Sequence, residues 1–202
     1  MVTPPLRRAR RLSCVMPAFN EAGNLPRTVP QVLATLAGLA EQVELIVVDD
    51  GSRDDSAAVL RGLSEAHPEL VVLLLSRNFG KEAAIMAGLR AAHGDVVVLM
   101  DSDGQHPVGL LPEMLGHREQ GTDVVYAVRR SRDDQSRLHA RLAKGFYRLV
   151  NWGNRVQIPP DAGDFRLMDR RVVAALLPLP ARPRLMTGLY AWVGFRTMAI
   201  DY

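Results

Sequence analysis

Apolar residues in this chain gather into short runs, and between the runs they recur every three or four positions. The runs are Leu12–Met16, Val43–Val48, Leu70–Leu75, Val96–Met100 and Asp123–Ala127. Each has strand length, and their nearly unbroken apolar character predicts strands covered on both faces. Leu25, Val29, Val32, Leu33 and Leu36 predict a first helix, whose start Pro26 and Pro30 constrain. Ser52–Glu65 reads as a second, with Asp54 and Asp55 in its first turn, where the helix dipole favours negative charge. An Ala-rich stretch ending at Ala92 and the segment through Leu111, Met114 and Leu115 predict two more. Strands alternating with helices predict an α/β domain with a mostly parallel central sheet flanked by helices.

Polar residues follow each run. In a parallel sheet the carboxyl ends of the strands share one edge, the place where open α/β sheets bind ligands. The clusters brought there are Asn20/Glu21, Asp49/Asp50, Asn78/Lys81, Asp101/Asp103 and Arg129/Arg130. The sharpest closes Val96–Pro107, VVVLMDSDGQHP. Asp101 and Asp103 cannot both enter a core, because an unpaired buried carboxylate is costly or stays protonated. A shared cation answers that conflict. Hard oxygen ligands favour Mg2+ or Mn2+, which bind through one or two carboxylates plus substrate phosphates. Gln105 offers a further carbonyl oxygen and His106 an imidazole.

Taken alone, Asp101–Gly104 reads equally well as a strand-ending turn. The convergence of five clusters on one crevice favours the metal, with acids suited to a cation or a base edge, and Lys and Arg suited to phosphate. An EF-hand loop is excluded, since Gly104 stands fourth instead of sixth. Haloacid-dehalogenase-type phosphatases carry a similar DxDG on their first strand, whereas three strands precede this one. Neither GxGxxG after the first strand nor GxxxxGK[ST] is present, so no dinucleotide fold or Walker loop is signalled.

The 202 residues suit one domain, 1–202, preceded by a basic tail at 1–11. Lys+Arg of 25 against Asp+Glu of 22 leaves a charge of +3, which allows anionic partners without demanding nucleic acid. The lone cysteine, Cys14, lies in an apolar run and reads as a core thiol in a reducing compartment. No apolar run approaches the roughly 20 residues that span a bilayer. Arg7, Arg8, Arg10 and Arg11 precede an apolar stretch that Pro17 and Asn20 cut short, which argues against a signal peptide.

The set PAFNEAGNL, VVDDGSRDDS, RNFGKEAAIMAG, VVVLMDSDGQHP and DAGDFRLMDR closely resembles family 2 glycosyltransferases of the GT-A fold. It is most similar to the branch that moves a sugar from a nucleotide-sugar to polyprenyl phosphate, the dolichol-phosphate-mannose synthase type. The resemblance runs from Leu12 to about Phe195. It implies that Pro17, Asn20 and Glu21 line the nucleotide pocket with Lys81, and that Asp50 accepts from the base. Asp101 and Asp103 would be the metal-binding DxD, with Gln105 matching a third ligand. Arg129 matches an arginine on a loop closing over the phosphates. Asp161 to Arg166 matches the segment facing the acceptor and the transferred sugar, which gives Asp161, Asp164 and Arg166 that place. Asp103, Asp164 and Arg129 are the residues this resemblance puts at the reaction itself. In the family the GF motif, here Gly194-Phe195, is followed by more basic residues and often by membrane helices. This chain stops at Tyr202, so those functions are expected from a further segment or a partner.

Ser136–Trp152 adds a possible membrane contact, because Leu138, Leu142, Phe146 and Leu149 share one helical stripe and Arg137, Arg141, Lys144 and Arg148 another. Such a helix suits the bilayer interface, or equally a surface packed on the sheet. The expected activity is an inverting, metal-dependent sugar transfer from a UDP- or GDP-sugar to a polyprenyl phosphate, at the cytoplasmic face of the membrane. Two other readings stand beside it: a nucleotide-sugar-binding domain without catalysis, and a phosphatase with Asp101 as nucleophile.

Overall fold

The structure, a computed structural model, describes residues 9–128, 164–179 and 193–202. Along the chain these form β1 (Arg11–Ala18), α1 (Leu25–Ala37), β2 (Gln42–Asp49), α2 (Ser56–Ala66), β3 (Leu70–Leu74), α3 (Lys81–Ala91) and β4 (Val96–Leu99). A 3-10 turn at Val108–Leu110 leads into α4 (Leu111–Glu119), and β5 (Val124–Val128), β6 (Arg166–Asp169), α5 (Arg170–Leu176) and β7 (Thr197–Asp201) follow. The strands make one sheet in the order β3-β2-β1-β4-β6-β5-β7. β1 to β4 pair in parallel; β6 runs antiparallel to both β4 and β5; β5 and β7 are parallel.

Both faces of the central strands are apolar because each face has its own helical cover. Leu12, Cys14 and Met16 of β1 join Val96 and Val98 of β4 in one core with Leu25, Val29 and Val32 of α1 and Met114 of α4. The intervening Val15, Val97 and Leu99 join the opposite core, with Ile85 and Leu89 of α3 and Val172 and Leu176 of α5. Side chains alternate faces along a strand, so two apolar faces appear in sequence as an unbroken apolar run. Cys14 is completely buried, and burial pushes its thiol pKa up, which makes it a core side chain.

Two strands go beyond the five expected. β6 is four residues long and entirely buried, yet its ends are Arg166 and Asp169. Charged residues hide it from a hydrophobicity pattern. Asp169 is accommodated because Arg118 donates to it at 2.8 and 3.1 Å and because it caps α5 by accepting from the Arg171 backbone N–H at 3.1 Å. β7 is an edge strand of which Ile200 alone is buried. The second helix also departs from expectation, since α2 starts at Ser56 and leaves Asp54 and Asp55 ahead of it. Asp54 acts locally there, accepting from the Ser56 backbone at 3.0 Å, the Ser56 hydroxyl at 2.6 Å and Ala22 N–H at 3.1 Å.

The polar lower edge of the sheet is pinned by buried charge. Glu44, on β2, accepts from the Ser13 hydroxyl at 2.5 Å, His93 N–H at 2.7 Å and Arg11 at 2.9 Å. Burial raises its pKa, but those donors outweigh burial and hold it below the usual carboxylate range.

α3 crosses β1 at Gly88, where an added Cβ would stand 2.4 Å from Val15 Cγ1. Gly62 in α2 has no atom within 4 Å of such a Cβ. Gly88→Ala is therefore expected to destabilise the protein by about 1–3 kcal/mol through overpacking, whereas Gly62→Ala gains about 0.5–1 kcal/mol in a helix interior. Urea denaturation of the two variants checks the opposite signs.

Candidate active site

A cleft of about 360 Å³ opens at the carboxyl edge of β1, β2 and β4, lined by residues that include Pro17, Phe19, Glu21, Asp50, Lys81, Asp101 and Asp103. The four loops around it are tied to one another by the polar residues that end the strands. Asp49 accepts from the Ser52 hydroxyl, and Ser52 Oγ accepts from Asn20 N–H at 2.8 Å. Asn20 sits at φ 58°, a left-handed conformation that asparagine tolerates, and its side-chain oxygen accepts from Arg53 N–H at 2.8 Å. These bonds lock the loop after β1 to the loop after β2.

Asp50 ties the loop after β2 to the start of α3. Its two oxygens accept from the backbone N–H groups of Phe79 and Gly80, each at 2.8 Å. Gly80 has φ 96°, which favours glycine at the entry to α3. Gly51 is also required, because φ 65° and a Cβ only 2.3 Å from the Arg77 carbonyl carbon leave no room for a side chain. On the opposite wall Ser102, between the two acids of DxD, is buried and donates to the Pro17 carbonyl at 3.0 Å. That anchor joins the loop after β4 to β1, and Asp101 and Asp103 on either side of it line the cleft.

The electrostatic centre is Lys81, the first residue of α3. Its Nζ lies 2.5 Å from Asp101 Oδ1 and 2.6 Å from Asp164 Oδ2. His106 Nε2 stands 3.3 Å from the other oxygen of Asp101, and the His106 ring stacks on Phe165 with centroids 5.1 Å apart. Burial alone would raise the Asp101 carboxyl; contact with His106 and Lys81 instead holds it at about 2. Burial likewise lowers Lys81, and its two carboxylate partners more than reverse this, so its pKa is raised.

The sequence-expected residues fall into three groups. Pro17, Glu21, Asp50, Lys81, Asp101 and Asp103 meet at the cleft, and Asp164 reaches it through Lys81. Asn20 braces the loops and is absent from the cleft lining, as is Gln105, which is exposed and donates its backbone N–H to Asp103 Oδ1 at 2.9 Å. Arg166 is 2% exposed, paired in register with Leu99 and Tyr126 inside the sheet. Arg129, Arg130, Asp161 and the Ser136–Trp152 stretch, expected to be a helix, lie outside the described residues. Sequence reasoning missed Ser52 and Ser102, whose hydroxyls look like ordinary turn residues until their partners in other loops are known. It also missed the aromatic rim: Phe19 and Phe79 are 41% and 47% exposed, and the Arg77 guanidinium lies 4.1 Å from the Phe79 ring centroid.

No group of three or more His, Cys, Asp or Glu among the described residues is arranged to hold a metal. Asp101 and Asp103 fit the smaller requirement of a hard cation that takes one or two carboxylates and completes its shell with substrate oxygens.

The model of the family described as "Glycosyl transferase family 2" matches residues 13–177. An uncharacterised glycosyltransferase of Synechocystis sp. is 42% identical over 185 residues, covering 92% of this chain and 58% of the relative. A bactoprenol glucosyl transferase of Shigella phage SfV is 36% identical over 192 residues, covering 95% and 62%. This chain thus spans about three-fifths of the length of these relatives. Among solved structures, a mannosyltransferase from Pyrobaculum calidifontis in complex with GDP-Man and Mn2+ superimposes with a TM-score of 0.66 at 21% identity, covering 99% of this chain and 57% of its own.

Asp50 and Asp103 should separate in their effect on stability. Asp50 is 3% exposed and carries two backbone hydrogen bonds, so Asp50→Ala is expected to cost about 1.5–3 kcal/mol. Asp103→Ala, at a half-buried position with one local bond, should stay within about 0.5 kcal/mol of the parent. Urea melts test both. The Lys81–Asp101 pair adds a pH signature. Asp101 has a depressed folded pKa, so its contribution is present above the unfolded value of 3.8 and is lost as pH falls toward about 2. Lys81, raised, keeps its contribution below its ordinary value of 10.5 and loses it only as pH climbs past the raised one. Lys81→Met should consequently flatten the loss of stability between pH 4 and 2 as well as lower stability at pH 7, as read by thermal melts across pH.

Proposed function

We propose, from the premise that this chain belongs to glycosyl transferase family 2 and is a glycosyltransferase of the GT-A fold, that it moves a sugar from a UDP- or GDP-linked donor to a polyprenyl phosphate with inversion. The observation that carries this reading is the Asp101–Lys81–Asp164 contact. It unites the DxD loop, the start of α3 and the residue ahead of β6 at one end of the cleft. Family membership removes the phosphatase reading, in which Asp101 would be a nucleophile. The polyprenyl acceptor is supported by relatives named for bactoprenol, and with a lipid-linked acceptor goes our proposal that the chain works at the membrane surface, on the cytoplasmic face. Among the described residues no helix is long and apolar enough to cross a membrane.

Asp50, Glu21 and the aromatic rim would receive the nucleoside, while Lys81, among the described residues the cationic side chain lining the cleft, would meet the diphosphate. Asp101 and Asp103 would hold Mg2+ or Mn2+, which when bound neutralises charge on the departing nucleoside diphosphate. The remaining chemistry is a displacement: a phosphate oxygen of the acceptor attacks the anomeric carbon, and the bond from that carbon to the diphosphate oxygen breaks on the opposite face. The electron pair leaves with the nucleoside diphosphate. A phosphate monoester has its second pKa near 6, so the attacking oxygen is already an anion at neutral pH. No general base is needed. Asp164 fits that economy, since its Oδ2 is committed to Lys81 at 2.6 Å and the ammonium offsets its repulsion of an anionic acceptor. It acts as a positioning residue.

Two measurements test this. A thermal-shift screen of UDP- and GDP-sugars with Mn2+ should raise Tm for one donor class, because ligand at 100 times its Kd stabilises by roughly 2.7 kcal/mol. Transfer to a polyprenyl phosphate, with no transfer to free sugars, identifies the acceptor class; donor binding without any transfer would leave a binding domain. Asp164→Asn should then lower kcat by about tenfold to a hundredfold, the loss of one charge-assisted contact of about 1.5–3 kcal/mol. Its acid limb should remain near pH 6, where the acceptor ionises. An acid limb that vanishes in the variant would make Asp164 a base and the acceptor a hydroxyl.

A further inference from the structure

Lys81 is needed in two places. Among the described residues lining the cleft it is the one cation, hence the group on hand for a donor diphosphate, yet its ammonium is engaged by Asp101 and Asp164 at 2.5 and 2.6 Å. We propose that Lys81 is a resident counter-ion that changes partners: it holds Asp101 and Asp164 together before the donor enters, then releases Asp101 and moves to the diphosphate as donor and divalent cation bind. This inference rests on the nucleotide-sugar reading above and assigns Lys81 a role in the order of loading.

The geometry separates Lys81 from the other ties of the site. Asp49 and Asp50 are held by a serine and by backbone N–H groups, which are fixed parts of the loops. Lys81 is different because its backbone is fixed and its charge is not. The residue before it is anchored by the Gly80 N–H on Asp50, whereas its side chain is 45% exposed and lines the cleft. An ammonium is a compact charge with three rotatable donors on a flexible stem, so it can leave one oxygen for another without moving the helix.

Competition follows directly. Asp101 shared with Lys81 gives a divalent cation a weaker ligand than Asp101 alone, so the cation by itself binds poorly. A diphosphate that draws the ammonium away restores the carboxylate. Diphosphate and cation therefore assist each other through Lys81, in addition to any direct bond between them, and the assistance is reciprocal. Asp164 keeps the ammonium, which then stands between it and the diphosphate, so its repulsion of an anionic acceptor stays offset once the donor is in place. The exchange thus couples donor loading to the position of the residue ahead of β6.

The test is Mn2+ titration of the purified chain followed by the EPR signal of free Mn2+, without nucleotide and with saturating UDP or GDP. Lys81→Met should bind Mn2+ alone at least about fivefold more tightly than the parent, the lower end of ordinary site-to-site coupling. The gain in Mn2+ affinity on adding nucleotide should be smaller than in the parent, without disappearing. Lys81→Gln repeats the measurement with a polar side chain should the methionine variant fold poorly. Mn2+ affinity that is unchanged or weaker in the nucleotide-free variants, while the parent binds nucleotide with Mn2+, overturns the exchange and leaves the donor site standing. A parent chain whose Mn2+ affinity responds to neither UDP nor GDP overturns the donor reading itself.

Discussion

A carboxylate at the end of a buried strand is tolerated only if another group donates to it or neutralises it. Among the described residues four acids stand at strand ends around this cleft, and their partners tie its loops together. Asp49 draws in Ser52 and through it Asn20; Asp50 draws in Phe79 and Gly80; Asp101 draws in Lys81; Asp164 shares it. The requirement to satisfy these acids therefore assembles the cleft. Loops that would otherwise be independent segments on a rigid sheet become one polar network, and the loss of a single donor is felt in a neighbouring loop.

The same rule organises the opposite edge of the sheet with a different result. Glu44 collects Ser13, His93 and Arg11, and Asp169 collects Arg118 and Arg171, which also meets Asp123 at 2.5 Å. These acids are buried among donors from adjacent strands and helices. They stabilise the order of the strands. At the cleft Asp50 and Asp101 line about 360 Å³ of open space, and the partner of Asp101 is a flexible side chain. Identical chemistry is structural where the partners are fixed and functional where one can move.

Much of the fold was legible because the parallel strands are covered on both faces and so read as apolar runs; all five expected strands are present, with β1 continuing through Pro17 to Ala18. β6 and β7 were not legible. In β6 the buried positions include Arg166 and Asp169, whose pairing across the sheet is invisible in one dimension, and β7 buries little. The site was legible in membership and not in wiring. Residue type and strand position place Asp50, Lys81, Asp101 and Asp103 on one edge, but nothing local says that Asp50 is bound by backbone N–H groups or that Lys81 faces acids. Those contacts depend on which strand neighbours which, and order β1-β4-β6 is a tertiary fact.

That order gives β6 its consequence. Because β6 runs antiparallel to β4, with Leu99 opposite Arg166 and Val96 opposite Asp169, the residues ahead of β6 lie at the end of the sheet where β4 delivers Asp101. A parallel strand in the same slot would bring its carboxyl end to the cleft and send the residues before it to the opposite edge. Reversal brings Asp164 within reach of the lysine that serves Asp101, and the same four residues place Asp169 at the far edge, where it caps α5 and takes Arg118. One short strand thereby links the polar pins that fix the sheet to the charge pair that answers the ligand. The direction of β6, more than the identity of Asp164, is what makes that carboxylate part of the site.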